Sequence, residues 1–361
     1  MKKIVIVAGD KSADLYGGLL CKKLKEKFTN FEIFSFGGPQ LAEHSNQKIN
    51  LLKHSVSGIV EVISSLREIL HTFNRTLKFI DEIKPDLIIL MDFPDFNLHL
   101  AKKINKKFPV FYYISPQVWA WRKKRMHQIK KYVEKMIVIF KFEEAFYKKE
   151  GVDALYFGHP LLEIIEKKEI RPRKVISLLP GSRKNEISKN LPVMLGAKKI
   201  IENKLSGYSF RIIKPAHIEE DFYHKFNTDA EIIPHSYSVI QESEFIISAS
   251  GTATVEIAIL EVPYLIIYKV NPLTWHIVRG IVDTKFIGMV NILSHQKIID
   301  ELLQNEANPK RIAQKTLGYL TSSDKYRRIK SDLGGVKELL SPYGATEKFA
   351  DFIGDYLGLS S

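Results

Sequence analysis

Val175-Ile176-Ser177-Leu178-Leu179-Pro180-Gly181-Ser182-Arg183 is the stretch on which the fold turns. It reads as a short buried strand that runs into a proline–glycine break and then opens a helix. The same order stands at the start of the chain. There Ile4-Val5-Ile6-Val7-Ala8 meets Gly9 and Asp10, and a periodic segment follows over 14–27. A strand–loop–helix unit that restarts halfway along 361 residues argues for two domains of about 150–200 residues each.

Outward from these two stretches the pattern repeats. Further strands are expected at 32–36, 87–91, 110–114 and 136–140, and then at 210–214, 231–234, 245–248 and 264–268. Helical periodicity lies between them, most clearly over 58–83 and 118–132, and the tail from 308 to 357 reads as helices. Alternation of strand and helix implies parallel sheets covered on both faces. The fold class is therefore α/β, with two doubly wound Rossmann-like domains facing across a cleft. Their junction falls after Gly158-His159-Pro160, giving an expected division into 1–160 and 161–343. In such sheets ligands sit at the carboxyl ends of the strands, so the loops there are where chemistry is expected.

Composition excludes several alternatives. At 45% hydrophobic and 26% charged residues the chain is globular rather than disordered. Its single cysteine, Cys21, excludes an intramolecular disulfide and a multi-cysteine metal site. None of the 11 histidines has a partner at metal-ligand spacing, so all, His159 included, read as structural. Apolar runs fall well short of the roughly 18–20 residues of a membrane span. The opening segment is too short in its apolar part for a signal peptide and reads as a first strand. The expectation is a soluble, cytoplasmic protein.

Charge is uneven. The 54 Lys and Arg exceed 41 Asp and Glu, a net of +13. Residues 1–170 hold 29 basic and 20 acidic side chains, against 25 and 21 in the remainder. The window 102–149 alone has 14 basic residues and three acidic ones, Glu134, Glu143 and Glu144. A basic face calls for a polyanionic partner: nucleic acid, an anionic membrane or a phosphorylated substrate.

Four loops carry candidate chemistry. In Pro180-Gly181-Ser182-Arg183, Gly181 permits close approach to the backbone, the following helix offers free N–H groups, and Arg183 can clamp a phosphate. It is neither a P-loop nor a dinucleotide fingerprint. Ser248-Ala249-Ser250-Gly251-Thr252-Ala253-Thr254-Val255-Glu256 is a second anion site, with Glu256 placed to accept from a ribose hydroxyl. An ordinary helix capped by Ser250 or Thr252 fits that segment equally well. In Asp92-Phe93-Pro94-Asp95-Phe96-Asn97 we assign chemistry to Asp92 and capping to Asp95, a place Asn97 could also take; a structural role for both acids is the competing reading. The loop Gly9-Asp10-Lys11-Ser12-Ala13-Asp14 either binds a substrate phosphate or hydroxyl, or turns and caps through Ser12.

Two stretches bear on the charge. Segment 58–83 has more apolar positions than a core-facing stripe needs, among them Val62, Ile63, Leu66, Ile69 and Leu70. Packing at an interdomain or homodimer contact would use the same surplus. Trp119, Ala120 and Trp121 then precede four cations, Arg122, Lys123, Lys124 and Arg125. Aromatics beside cations suit stacking on RNA or an anionic membrane interface.

Together these segments resemble one family, lipid-A-disaccharide synthase, a GT-B glycosyltransferase with two Rossmann-type domains. The matching segments are 8–14, 58–61, 92–97, 115–125, 157–160, 179–183, 248–256 and 271–293, in the family's order. The resemblance implies transfer of a 2,3-diacylglucosaminyl group from UDP-2,3-diacylglucosamine to 2,3-diacylglucosamine 1-phosphate, with inversion and release of UDP. It implies Asp92 as base, Arg183 on the departing diphosphate and Asn291 at the sugar or diphosphate. Gly181, Ser182, Ser250, Gly251, Thr252 and Glu256 would hold UDP. Asp10, Ser12 and Asp14 would form an acceptor loop, although the family usually has Glu and then Ser-Gly-Asp there. The first domain would bind acceptor and membrane, joined by a C-terminal helix over 344–361, and the second would bind the UDP-sugar. No cofactor, metal or nucleic acid is implied. The enzyme would be cytoplasmic and peripheral to the cytoplasmic face of the inner membrane. Two rivals are another GT-B UDP-sugar enzyme, such as a peptidoglycan-precursor glycosyltransferase or UDP-sugar 2-epimerase, and a basic RNA-binding protein.

Overall fold

The computed structural model describes residues 1–54, 61–120, 124–269 and 285–360, with the side chains of 53, 54 and 61–66 outside the description. The chain divides into two compact units, 1–163 with 340–361, and 164–339.

The first unit is built on a seven-stranded sheet of order β3-β2-β1-β4-β5-β6-β7. Its strands are β1 Lys2–Ala8, β2 Phe31–Gly37, β3 Asn46–Asn50, β4 Leu87–Met91, β5 Val110–Tyr113, β6 Lys135–Val138 and β7 Ala154–Tyr156. Every pairing is parallel. Ile4–Ala8 and Leu87–Met91 are wholly buried, as expected of continuous apolar runs sandwiched between helical layers. The helix Ala345–Leu357 completes this unit. Its Phe349 packs edge-on to Tyr113 at 4.9 Å, and Tyr356 to Phe111 at 4.8 Å.

The second unit has a six-stranded parallel sheet of order β10-β9-β8-β11-β12-β13. The strands are β8 Arg173–Leu179, β9 Ser209–Lys214, β10 Glu231–Pro234, β11 Ser243–Ala249, β12 Tyr264–Tyr268 and β13 Glu301–Leu303. Its core gathers Ile176, Leu178, Phe245, Ile247, Leu265 and Ile267 from the strands, with Leu191, Met194 and Ile312 from the helices.

Both sheets reverse direction next to their first strand. In the first unit β1 lies between β2 and β4, and in the second β8 lies between β9 and β11. The register pairs Ala8 with Met91 and Leu179 with Ser248. The loops after β1 and β4 therefore leave the first sheet side by side, and those after β8 and β11 leave the second. These are the switch points at which doubly wound sheets bind ligands.

The structure adds three strands that no apolar run announced. β3, β7 and β13 are all edge strands, and they are short or polar because one side faces no neighbour. The helix expected over 118–132 is corrected to Arg125–Tyr132. Ile114 and Gln117, at φ 66° and 46°, end the strand and prevent helical entry before Pro116 is cleared. Residues 55–60, 121–123 and 270–284, on which parts of three family-like segments fall, lie outside the described residues.

Candidate active site

At the first switch point the chain turns sharply after Met91. Asp92 and Phe93 both take the left-handed conformation, at φ 45°, which is unfavourable for side chains with a Cβ. Backbone and side-chain bonds hold it. Asp92 N donates to the Tyr113 carbonyl at 3.1 Å. The Asp92 carbonyl accepts from Tyr112 Oη at 2.5 Å and Asn97 Nδ2 at 2.9 Å. Asn97 Nδ2 also reaches the Met91 carbonyl at 3.1 Å. Gly9 is required beside it: a Cβ there would stand 2.1 Å from Cδ1 of Phe93.

This turn brings the Asp92 carboxyl against that of Asp10. Burial, and then the neighbouring Asp10 charge, push the Asp92 carboxyl up to about 9. A like charge at close range favours the protonated form of Asp92. Glu143 adds to the same field. It is 1% exposed, accepts from Ser115 Oγ at 2.6 Å and Trp119 Nε1 at 2.8 Å, and is raised by burial to about 7. Sequence reasoning counted Glu143 only as one of the few acids within 102–149.

Several expectations for this unit are corrected. Asp95 caps nothing: the cap position is Phe93, and the Asp95 carboxylate pairs with Arg125. Ser12 does not cap either. Asp10 is the N-cap, accepting from Ala13 N at 3.0 Å, while Ser12 Oγ donates to it at 2.9 Å. Asp14 is buried and its oxygens accept from Gly38 N, Gln40 N and Leu41 N, so it anchors the helix Pro39–Glu43 instead of facing a ligand. Trp119 is held by Glu143 and packs edge-on to Phe142, and Arg125 is held by Asp95, so neither is a free interfacial group. Lys124 is exposed. On the helix Glu61–Ile83, Thr72, Thr76 and Ile80 face inward while Ile69 and Leu70 are 40% and 56% exposed. Val62, Ile63, Leu66, Trp121, Arg122 and Lys123 lie outside the described side chains.

The second switch point has the opposite character. Gly181 sits at φ 125° with Glu186 packed so close that a Cβ would meet its side chain at 2.8 Å. Arg183 is the N-cap of the 19-residue helix Lys184–Glu202, and no side chain caps that helix from the cap position. Glu186 reaches back instead, accepting from Ser182 N at 3.1 Å and Arg183 Nη1 at 3.2 Å. The Arg183 side chain is 69% exposed. Backbone N–H, guanidinium and helix dipole thus converge on one carboxylate, which marks the loop as a place for anionic oxygen.

Next to it, Ser250, Gly251 and Thr252 join β11 to the helix Ala253–Ile259. Thr252 holds the N-cap position of that helix, as the capping alternative expects, but its side chain makes no cap hydrogen bond. Gly251 faces open space. Glu256, one turn in, is 13% exposed at its side chain and lies 3.1 Å from Nε2 of His235. His235 was grouped with the structural histidines in the sequence, and its spacing from Glu256 gave no sign of the contact.

Asn291 is corrected outright. It is fully buried, donates to the Ile299 carbonyl and Glu301 Oε1, and accepts from Ile298 N and Ile299 N. Its amide is consumed in joining the helix Met289–Ser294 to β13, and it presents nothing to a ligand. Among the described residues no group of three His, Cys, Asp or Glu side chains is arranged to hold a metal ion.

Two parallel-sheet α/β units, each with a pair of loops at its switch point, are the elements of the GT-B fold. Solved structures of that architecture match along the whole chain. S. aureus MnaA in complex with UDP superposes with a TM-score of 0.70 at 13% identity, covering 100% of this chain and 98% of that one. The UDP-GlcNAc 2-epimerase of Neisseria meningitidis bound to UDP-GlcNAc gives 0.66 at 11%, covering 98% and 100%. These likenesses establish the fold. The lipid-A-disaccharide synthetase family model matches residues 4–342, and the chain belongs to that family. It is 36% identical to the lipid-A-disaccharide synthase of Syntrophus aciditrophicus over 97% of this chain and 96% of the relative. To that of Coxiella burnetii it is 35% identical, over 98% of each.

Proposed function

We propose that the protein transfers a 2,3-diacylglucosaminyl group from UDP-2,3-diacylglucosamine to the 6-hydroxyl of 2,3-diacylglucosamine 1-phosphate. The products are the β(1→6)-linked tetraacyl disaccharide 1-phosphate and UDP. Family membership supports the substrates, and the pairing of a carboxyl site with an anion site supports the chemistry. Asp92, once ionised, accepts the proton of the 6-hydroxyl as its oxygen attacks C1 of the donor sugar. The bond from C1 to the diphosphate oxygen breaks with inversion, and its electron pair leaves with UDP. Arg183 and the Ser182 N–H stabilise the charge that develops on that leaving group. For Arg183 to do so, Glu186 gives up its place to the diphosphate. Ser250, Gly251 and Thr252 line the nucleotide's path, and Glu256 accepts from its ribose.

One observation carries this reading: the Asp92 carboxyl is raised to about 9 at a strand's end where the backbone is strained to present it. A strained backbone at a strand's end, together with a carboxyl whose proton affinity is raised from the ordinary carboxylate range, supports a role in proton transfer. Assay of acylated against non-acylated UDP-glucosamine tests the substrate. Turnover of the acylated donor alone is expected, and equal turnover of both would favour a different UDP-sugar enzyme. The RNA-binding alternative loses Trp119 and Arg125, which are engaged within the unit, and family membership does not favour it.

We assign the membrane contact to the outer face of the helix Glu61–Ile83, on which Ile69 and Leu70 are the exposed apolar pair. No helix among the described residues is long and apolar enough to cross a membrane. Burying two such side chains in a bilayer interface is worth about 1.5–3 kcal/mol each at full burial. Ile69→Ser with Leu70→Ser should therefore lower recovery on anionic vesicles several-fold. Unchanged recovery would remove this face from the account.

A further inference from the structure

The mechanism above gives no role to the partner that Glu256 meets in the second unit. His235 follows directly on the last residue of β10, and its Nε2 lies 3.1 Å from Oε2 of Glu256. The two residues are not neighbours in the sheet. β9 and β8 separate β10 from β11, whose helix carries Glu256. The contact therefore reaches across the C-terminal edge of two intervening strands, the edge along which a nucleotide would lie. A carboxylate only accepts, so the imidazole donates its Nε2–H. Tyr237 sets its ring edge-on to His235, with centroids 5.7 Å apart and planes at 78°. That packing fixes the imidazole, and the Glu256 charge adds to burial in raising the Tyr237 hydroxyl.

We propose that His235 is a positioning residue for nucleotide recognition. It holds one oxygen of Glu256 so that the other is presented to a ribose hydroxyl of the uridine diphosphate. The inference rests on the reading of Glu256 as the ribose acceptor. Its physical basis is preorganisation: a glutamate has three rotatable bonds, and a donor that fixes the carboxylate beforehand removes that ordering cost from binding.

Calorimetric titration of the full chain with UDP and with 2′,3′-dideoxyuridine 5′-diphosphate tests it. The unaltered protein should bind UDP about tenfold more tightly than the dideoxy analogue, the effect of one hydrogen bond to a charged group. In His235→Leu the Kd for UDP should rise to that of the analogue, while the analogue's own Kd stays put and shows that the variant is folded. His235→Gln, which can still donate to Glu256, should keep most of the preference. If His235→Leu retains the full preference, or weakens both ligands equally, His235 has no positioning role and the inference fails while the ribose reading stands. If the unaltered protein shows no preference, or Glu256→Gln keeps it, the ribose reading fails and takes the inference with it.

Discussion

The two switch points share a topology and differ in almost everything else. In the first unit the loops after β1 and β4 bring two half-buried carboxyls together and strain the backbone at Asp92 and Phe93. In the second the loops after β8 and β11 offer a glycine at φ 125°, an exposed guanidinium and a helix start. On the proposed mechanism the first serves to hold a proton and the second to hold negative oxygen. A doubly wound sheet decides where a ligand goes and leaves the chemistry to a handful of loop residues. For a transferase that division is useful, because deprotonating an acceptor and stabilising a departing diphosphate need opposite electrostatics.

The comparison predicts separable losses. Arg183→Ala should lower kcat/KM by about 10²-fold and weaken UDP binding with it, because the leaving-group charge loses a stabilising cation. Loss of kcat/KM with UDP affinity unchanged would detach Arg183 from the nucleotide. Asn291→Ala should act on the fold, removing buried hydrogen bonds at a cost of about 2–4 kcal/mol in stability. Thermal unfolding measures this, and an unchanged Tm with turnover lost would return Asn291 to the chemistry. The smallest effect concerns pH. Asp92 must be ionised to act as base, so kcat/KM should rise with pH towards the raised value of the Asp92–Asp10 pair. Asp10→Asn keeps an N-cap residue and removes the like charge, so the acid limb should move down by about one pH unit. A limb that stays in place or moves up would show that Asp10 does not set the proton affinity of Asp92.

The sheet interiors were legible because burial on both faces forces apolar runs such as Leu87–Met91 and Tyr264–Tyr268. The short edges β3, β7 and β13 were not, whereas the edge β10 was, because Ile232 and Ile233 mark it. Among the candidate residues, Gly181 and Arg183 stand where the sequence put them, at the turn after β8 and the start of the next helix. Residues whose role depends on a distant partner could not be placed from the sequence. Trp119 and Arg125 read as surface groups until Glu143 and Asp95 engaged them. Asn291 read as a ligand until the backbone at 298–299 and the Glu301 carboxylate used up its amide. The contacts of Asp92 with Asp10 and of His235 with Glu256 arise only when separate strands align their ends.

The central claim is that the two units divide the work, with proton acceptance at Asp92 and nucleotide binding in the second unit. Asp92→Asn tests it on one sample, by measuring disaccharide formation and UDP affinity together. The account predicts turnover reduced by about 10³-fold or more with the Kd for UDP unchanged within twofold. Near-normal turnover, or loss of UDP binding in step with turnover, would contradict it.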